Sequence, residues 1–290
     1  MNHERLRLAT ARLEFERRAA TSLYMSALIP SLYVSHGSPM IALGGANDPT
    51  GARASWKAFA DRIPRPRGIV VASAHHERDR TTVASAADYR TIHDFRGFPA
   101  PLYALSYAAH GDAELAARCA ALLGAAGFTV DEESSPGLDH GAWVPLLAMF
   151  PAGDVPVVQI AIESQRDPAH HLALGRALST LREEGVLVLG SGSLTHNLAE
   201  RQNEGAAPTP HVAAFQKWVW ERLAANDIAA LVDYRHAAPY AARVHPTDEH
   251  WLPFYVALGA AGEAPFTAEQ AAGEVAFGAL AMDAIVFESA

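Results

Sequence analysis

Three histidines of this 290-residue sequence follow short apolar runs. His36 comes directly after LYVS, His75 comes two residues after IVVAS, and His196 closes the loop GSGSLTH that follows VLVL. Ligand sites in open α/β sheets form outside the carboxyl ends of the strands, and neutral imidazole is the commonest metal ligand in proteins. The sequence therefore predicts a metal site where these three histidines meet, with scattered polar loop histidines as the alternative.

The glycine- and serine-rich loop before His196 lacks the patterns of a phosphate-binding loop. Neither GxxxxGK[ST] nor a helix-opening GxGxxG occurs there. Ser191 and Ser193 also lack the GxSxG context of a hydrolase nucleophile. We interpret the loop as a tight turn that presents His196, in which small residues let the backbone pass close to the site.

The elements that must position these histidines follow an alternating pattern of apolar runs and helical segments. This pattern predicts an α/β fold: a single domain with a central, mostly parallel or mixed sheet flanked by helices, and the active site at the carboxyl ends of the strands. Strands are predicted at residues 32–35, 69–73, 157–162 and 186–189. Helices are predicted at 55–62, 113–125, 168–184 and 210–225, with a loop and a further helix within 246–261 and a closing strand or hairpin within 275–287.

Composition narrows the class of protein. Hydrophobic residues make up 50% and charged residues 19%, which is typical of a soluble globular chain. The net charge of −9 argues against binding of nucleic acid or anionic lipid, and no stretch of about 18 uncharged apolar residues predicts a membrane span. A small molecule is the expected partner, and the oligomeric state is left open.

The lone cysteine and the N-terminus add two expectations. Cys119 excludes an intrachain disulfide, suits a reducing cytoplasm, and lies in an apolar helical pattern typical of core residues. Residues 1–28 are rich in arginine but also carry acids, so we expect a poorly ordered extension, or an upstream start with Met25 as the natural one. Residues 29–290 are predicted to form the single domain.

Six segments in order carry a family resemblance. They are SHGSPM (35–40), SAHHE (73–77), TIHDFRGFP (91–99), GLDHGAWVPL (137–146), SGSLTHNL (191–198) and HPTDEHWLPFYVALGA (245–260). From about residue 32 to the C-terminus, the sequence resembles the class III extradiol ring-cleavage dioxygenases, in the DOPA 4,5-dioxygenase-like branch of the LigB superfamily. Residues 29–290 would then be the catalytic domain.

The resemblance implies one divalent metal, Zn²⁺ or non-haem Fe²⁺, at four histidines. The matching positions are His36, His75, His196 and His250. Oxygen-activating Fe(II) sites usually combine two histidines with one carboxylate, whereas an all-histidine set resembles a zinc site. Glu249, beside His250, is therefore a candidate replacement ligand.

The resemblance also implies the reaction. A catechol, DOPA-like or related, would be cleaved with dioxygen beside its two hydroxyls to a muconic semialdehyde. His140 in LDHGAW matches the catalytic acid or base, and an unperturbed histidine pKa of about 6.5 suits proton exchange near neutral pH.

The sequence also offers candidates for substrate contacts. His93, His245, Trp143 and Trp251 are candidates, although a loop-ordering hydrogen bond for His93 and core packing for the aromatic residues are alternatives. A carboxylate-bearing substrate such as DOPA would need a cation. Candidates near the motifs are Arg78, Arg96 and Arg243, among which the sequence does not choose.

Two other classes of function stay open on the residues. A member of the same superfamily can keep the fold and bind a ligand without cleaving it, although the complete histidine set favours an enzyme. A zinc-dependent hydrolase would use metal-bound water as nucleophile, although four protein ligands would leave that water little room.

Overall fold

A computed structural model of the protein describes residues 28–134, 137–263 and 265–289. The predicted N-terminal extension, apart from its last residue, lies outside the described residues. The strands are β1 Ser31–Ser35, β2 Gly68–Ser73, β3 Thr82–Ala84, β4 Arg90–Thr91, β5 Asp131–Glu133, β6 Gly137–Leu138, β7 Val157–Ile160, β8 Val186–Gly192, β9 Phe266–Ala272, β10 Val275–Ala276, β11 Leu280–Ala281 and β12 Ala284–Ser289.

The α-helices are α1 Ala52–Arg62, α2 Ala100–Tyr103, α3 Ala113–Ala125, α4 His140–Met149, α5 Pro168–Ala177, α6 Pro210–Ala224, α7 Ile228–Val232, α8 Tyr234–Ala237, α9 Ala241–Val244 and α10 Leu252–Ala260. Short 3-10 helices cover Pro39–Leu43, Gly45–Asn47, Ser179–Arg182 and Leu198–Glu200.

Among the described residues, eight strands form one sheet in the order β5-β3-β7-β2-β8-β1-β12-β9. The four central strands β7, β2, β8 and β1 run parallel to one another, while β12 and β9 add on as antiparallel strands and β3 runs antiparallel to β7. The predicted mixed sheet is confirmed, and its four parallel strands begin within a residue of where the sequence pattern placed them.

Both faces of the sheet are buried because side chains alternate between two cores. Val70 and Val188 point to the core formed with α3, α5, α6 and α10, whereas Ile69 and Leu187 point to the core formed with α1 and α4. Parallel strands covered on both faces are apolar in nearly every position, which explains the unbroken runs IVVA and VLVL. The helices therefore cover the faces and leave the carboxyl edge of the strands open for a site.

The third predicted helix is shorter than expected. Asp167 caps α5 by accepting from the backbone N–H of His170, and Pro168 occupies the first turn, as the sequence indicated. The α-helix ends at Ala177 and the chain tightens into a 3-10 turn before Gly185, which has φ +79°. Within the described ranges, no helix is long and apolar enough to cross a membrane.

Candidate metal and substrate site

The carboxyl ends of three adjacent strands bring the predicted histidines together. Strand β8 lies between β1 and β2. The backbone N–H of His36 donates to the Gly192 carbonyl at 2.9 Å, and the N–H of Ala74 donates to the Ser191 carbonyl at 2.9 Å. These bonds join the ends of the three strands, so the side chains that follow them face one region.

His250 reaches the same region from the segment that precedes α10. The N–H of Ser193 donates to the His250 carbonyl at 2.8 Å. A side chain on Gly192 would collide with that carbonyl, and one on Gly190 would collide with the Pro253 carbonyl. The glycines of the loop before His196 therefore allow a second chain segment to cross directly against β8.

The histidines line a cavity of about 410 Å³. Its walls are formed by His36, Gly37, Ser38, Pro39, Met40, His75, Phe95, Phe98, His140, Ser193, His196, Leu198, Arg201, His250, Phe277 and Leu280. Five imidazoles lie on this wall, while most of the other lining side chains are apolar or aromatic. The volume falls in the range of pockets that hold small molecules.

His36 and His75 face each other through their Nε2 atoms, which are 3.1 Å apart. Two nitrogens bound about 2.0–2.1 Å from one metal lie roughly 2.9 Å apart at an octahedral angle and roughly 3.3 Å apart at a tetrahedral one. Burial, reinforced by neighbouring imidazoles, lowers the pKa of His36 well below its usual range and that of His75 to about 2. Both rings are therefore neutral at pH 7 and fit a divalent metal.

The tautomer of His36 is set by Ser191. The Ser191 hydroxyl donates to the Gly141 carbonyl, and its oxygen is 3.1 Å from Nδ1 of His36. Because the single hydroxyl proton is committed to Gly141, Nδ1 of His36 must be the donor in its bond with Ser191. The lone pair of Nε2 then faces the cavity, as a metal ligand requires.

Two carboxylates hold two more imidazoles in the same way. Asp94 accepts from Nδ1 of His140 at 2.9 Å and from its backbone N–H at 3.0 Å. Glu249 accepts from Nδ1 of His250 at 2.9 Å, a bond that lowers the pKa of Glu249 to about 2 despite opposing burial. Burial raises the pKa of Asp94, but the bond and charge of His140 outweigh it and lower the pKa overall.

The ligand atoms fall into two groups. Those of His36, His75 and His140 lie within 4.8 Å of one another, and so do those of His196, Glu249 and His250. The His196 ring stacks on His250 with centroids 3.4 Å apart, and burial lowers the pKa of His196 to about 3. All four histidines expected to bind metal thus line the cavity, and His140 is also within reach of His36 and His75.

The four predicted substrate residues do not line the cavity. Trp251 is fully buried, stacks on Phe254 with centroids 4.1 Å apart, and donates to the Tyr255 hydroxyl. His245 is fully buried, with Nε2 2.8 Å from the Leu194 carbonyl oxygen. The chain around His250 turns these side chains into the core behind the site, outside the cavity lining.

Trp143 and His93 lie behind the aromatic wall. Trp143 is fully buried and donates from Nε1 to the Ile92 carbonyl at 3.0 Å. Nε2 of His93 is 3.1 Å from the Leu105 carbonyl oxygen, which matches the loop-ordering alternative. Both rings pack against Phe95, with centroids 6.5 Å (Trp143) and 5.6 Å (His93) from it, so they lie behind the wall and outside the cavity lining.

The sequence reasoning missed two groups in the same segment, TIHDFRGFP. Asp94 binds His140, and the ring of Phe95 packs edge-on against His140 with centroids 5.8 Å apart. Phe98 packs against Phe95 with centroids 5.3 Å apart and completes an aromatic wall. The available signal was the carboxylate directly after His93, but nothing local shows that it reaches a histidine 46 residues later.

Comparisons with known proteins find a matching family and similar relatives. The family "Catalytic LigB subunit of aromatic ring-opening dioxygenase" matches residues 30–282. A Beta vulgaris protein named 4,5-DOPA dioxygenase extradiol is 42% identical over 238 residues, which cover 80% of this chain and 87% of the relative. An Escherichia coli K12 protein of the same name is 38% identical, covering 83% of this chain and 89% of the relative.

A solved structure shares the fold. The crystal structure of an uncharacterised protein from Escherichia coli K12 is similar with a TM-score of 0.73 and 31% sequence identity. The match covers 89% of this chain and 99% of the other. The two chains therefore share one overall fold.

Proposed function

The chain belongs to the LigB family of aromatic ring-opening dioxygenases and is an extradiol oxidoreductase that cleaves catechols. From this premise we propose which residues bind the metal, bind the substrate and transfer the proton. The observation that carries the proposal is the 3.1 Å approach of the His36 and His75 Nε2 atoms beside an aromatic wall. Family membership also disfavours the binding-protein and hydrolase alternatives.

We propose that His36, His75, His196 and His250 would hold the metal on which this family depends, and that this metal is Fe²⁺. Iron bound there supplies the redox chemistry with dioxygen that zinc, which has no redox chemistry, does not supply. Glu249 serves as the hydrogen-bond partner that orients His250, since it already accepts from Nδ1 at 2.9 Å.

The catechol ring binds between the histidines and the wall formed by Phe95 and Phe98. Aromatic rings stack or meet edge-on at centroid distances of about 4.5–7 Å, which suits a flat substrate in this cavity. The apolar side chains of Leu198, Phe277 and Leu280 line it as well and help to exclude water from the oxidised ring.

His140 exchanges the substrate proton. Its ring lies between the metal-binding side and the aromatic wall, with centroids 4.1 Å from His75 and 5.8 Å from Phe95. Because Asp94 holds Nδ1–H, Nε2 is left to accept a proton from a catechol hydroxyl and return it later. Both oxygen atoms of dioxygen enter the muconic semialdehyde, so the reaction consumes no external reductant.

The first test is oxygen uptake by metal-stripped protein reconstituted anaerobically with Fe²⁺ or with Zn²⁺. With DOPA, protocatechuate and 4-methylcatechol as substrates, we expect uptake and a yellow product for at least one catechol with iron and neither with zinc. Tight binding of both metals without uptake by the iron form would refute the proposed activity. Equal uptake by both forms would refute the assignment of iron.

The second test separates the roles of the histidines. For His140→Ala we expect retained metal, measured by elemental analysis, and turnover lower by about 10²–10⁴-fold, the usual contribution of acid–base catalysis. For His196→Ala we expect weakened metal binding. Loss of metal from His140→Ala with normal metal in His196→Ala would contradict the proposal and make His140 the metal ligand. Asp94→Asn should retain metal and change the pH profile of kcat.

We also propose a reducing, cytoplasmic location. Cys119 is a free, fully buried thiol, and burial raises its pKa to about 12. A thiol of this kind is a core side chain without a disulfide partner, which is compatible with a reducing compartment. Oxidation of the thiol in freshly isolated protein, measured by mass spectrometry, would contradict this location.

A further inference from the structure

The cavity carries one permanent charge on its wall. Among the described residues that line it, Arg201 is the only lysine or arginine, and there is no aspartate or glutamate. Nε of Arg201 donates to the Leu198 carbonyl at 3.3 Å, and within the described part of the chain no carboxylate pairs with its guanidinium. An arginine beside an apolar cavity therefore has donors available for a ligand.

The backbone fixes where Arg201 stands. The 3-10 turn Leu198–Glu200 connects it to the loop that carries His196, and Asn197 caps that turn. The N–H of the next residue, Gln202, donates to the Phe277 carbonyl at 2.8 Å, which ties the segment to a hairpin on the cavity wall. Arg201 is thus held at the rim between His196 and Phe277.

The arginines singled out from the sequence are placed differently. Arg78 pairs with Glu133 at 2.6 Å and Arg243 pairs with Glu200 at 2.7 Å, so both charges are already matched. Arg96 and Arg201 are both exposed, but Arg96 lies outside the cavity lining and Arg201 is part of it. The geometry leaves Arg201 as the cation for an anionic substrate.

We propose that Arg201 determines specificity by binding a carboxylate on the ring substituent of the catechol. The proposal rests on the extradiol function proposed above. Guanidinium and carboxylate form paired, directional hydrogen bonds, and the neutral, apolar walls around Arg201 provide no competing anion. The ring would lie against Phe95 and Phe98, and its substituent would extend to the rim.

The test compares two substrates that differ by one carboxylate, 3-(3,4-dihydroxyphenyl)propionate and 4-ethylcatechol. For Arg201→Gln we expect KM for the propionate to rise about 10-fold or more, with kcat within about 2-fold and both constants for 4-ethylcatechol unchanged. Arg201→Lys should restore part of the affinity. Arg96→Gln, which removes the same charge outside the cavity, should behave like the unaltered protein.

A binding measurement makes the result independent of turnover. Calorimetry on zinc-loaded protein should show the same rise in Kd for the propionate in Arg201→Gln. An equal loss for both substrates, the loss appearing in Arg96→Gln instead, or no preference for the propionate in the unaltered protein would overturn the role of Arg201. Absence of oxygen uptake with any catechol would instead refute the proposed function, and 4-ethylcatechol kinetics report whether the variant is folded.

Discussion

Two cavities of nearly equal volume open at the same edge of the sheet, and both contain histidine. The site cavity measures about 410 Å³ and the second, beside Glu163, about 400 Å³. The Glu163 cavity lies where the chain leaves β7, which runs parallel to β2, and it is lined by Arg80, Thr81, Ala126, Gly127, Phe128, Thr129, Glu163, Arg166 and His170. Position in the fold and volume therefore do not distinguish the two.

The difference lies in how the polar atoms are matched. In the Glu163 cavity, one carboxylate oxygen accepts from Thr81 at 2.6 Å and lies 2.8 Å from Nε2 of His170. Both ring nitrogens of His171 are also occupied, one by the N–H of Glu163 and one by the Asp167 carbonyl. In the site cavity, Nε2 atoms of His36 and His75 face each other instead.

This contrast teaches what marks a metal site in such a fold. His171, which lies behind the Glu163 cavity and bonds through both ring nitrogens, completes a local network. His36, whose Nδ1 donates to Ser191, instead directs the lone pair of Nε2 toward Nε2 of His75, in an arrangement that a shared cation fits. The number of histidines differs as well, because five line the site cavity and one, His170, lines the Glu163 cavity.

The largest effect should come from removing one imidazole from each cavity. His75→Ala should lose most bound metal and lower turnover by more than about 100-fold, because even the outer partners of metal ligands contribute about 10–100-fold. His170→Ala should keep turnover within about 2-fold, because the His170 ring bonds to Glu163 and lies outside the site cavity. Elemental analysis and oxygen uptake measure both; a comparable loss in the two variants would erase the distinction between the cavities.

A smaller effect is expected from removing one hydroxyl from each cavity. Ser191→Ala removes the hydrogen bond that keeps the proton of His36 on Nδ1. The change should weaken metal affinity by about 10–100-fold, measured by competition with a chelator. Thr81→Val removes the corresponding hydroxyl from Glu163 and should leave metal affinity unchanged. Unaltered affinity in Ser191→Ala would show that Ser191 does not control His36.

The smallest effect concerns pH and His171. Burial, opposed by the Asp167 carbonyl, lowers the pKa of His171 to about 4. An unfolded histidine titrates near 6.5, so between these values the unfolded chain binds a proton that the folded chain excludes, and stability falls as pH falls, by at most about 1.4 kcal/mol per pH unit. His171→Gln should therefore lose stability less steeply from pH 6.5 to 5, measured by urea unfolding. Parallel curves would contradict this.

Much of the fold and part of the site follow from local patterns. The apolar runs before His36 and His75 located two strand ends, and parallel strands bring their ends to one edge. His250 and His140 follow no comparable strand, so only the family resemblance pointed to them. Trp251 illustrates the limit: it neighbours His250 in sequence, yet its ring packs against Tyr33 and Phe254 in the core.

The sequence by itself determined the sheet, its open edge and the histidines at that edge, because burial and alternation of side chains are local properties of the chain. Only the tertiary structure decided that Nδ1 is the nitrogen held in His36, His140 and His250, by Ser191, Asp94 and Glu249. It also decided that Arg201 alone among the arginines lines the described cavity. The tautomers of His36 and His140 depend on hydrogen-bond partners that are distant in sequence, and the tautomer of His250 and the place of Arg201 depend on the direction of a side chain. The spacing of residues along the sequence gives neither.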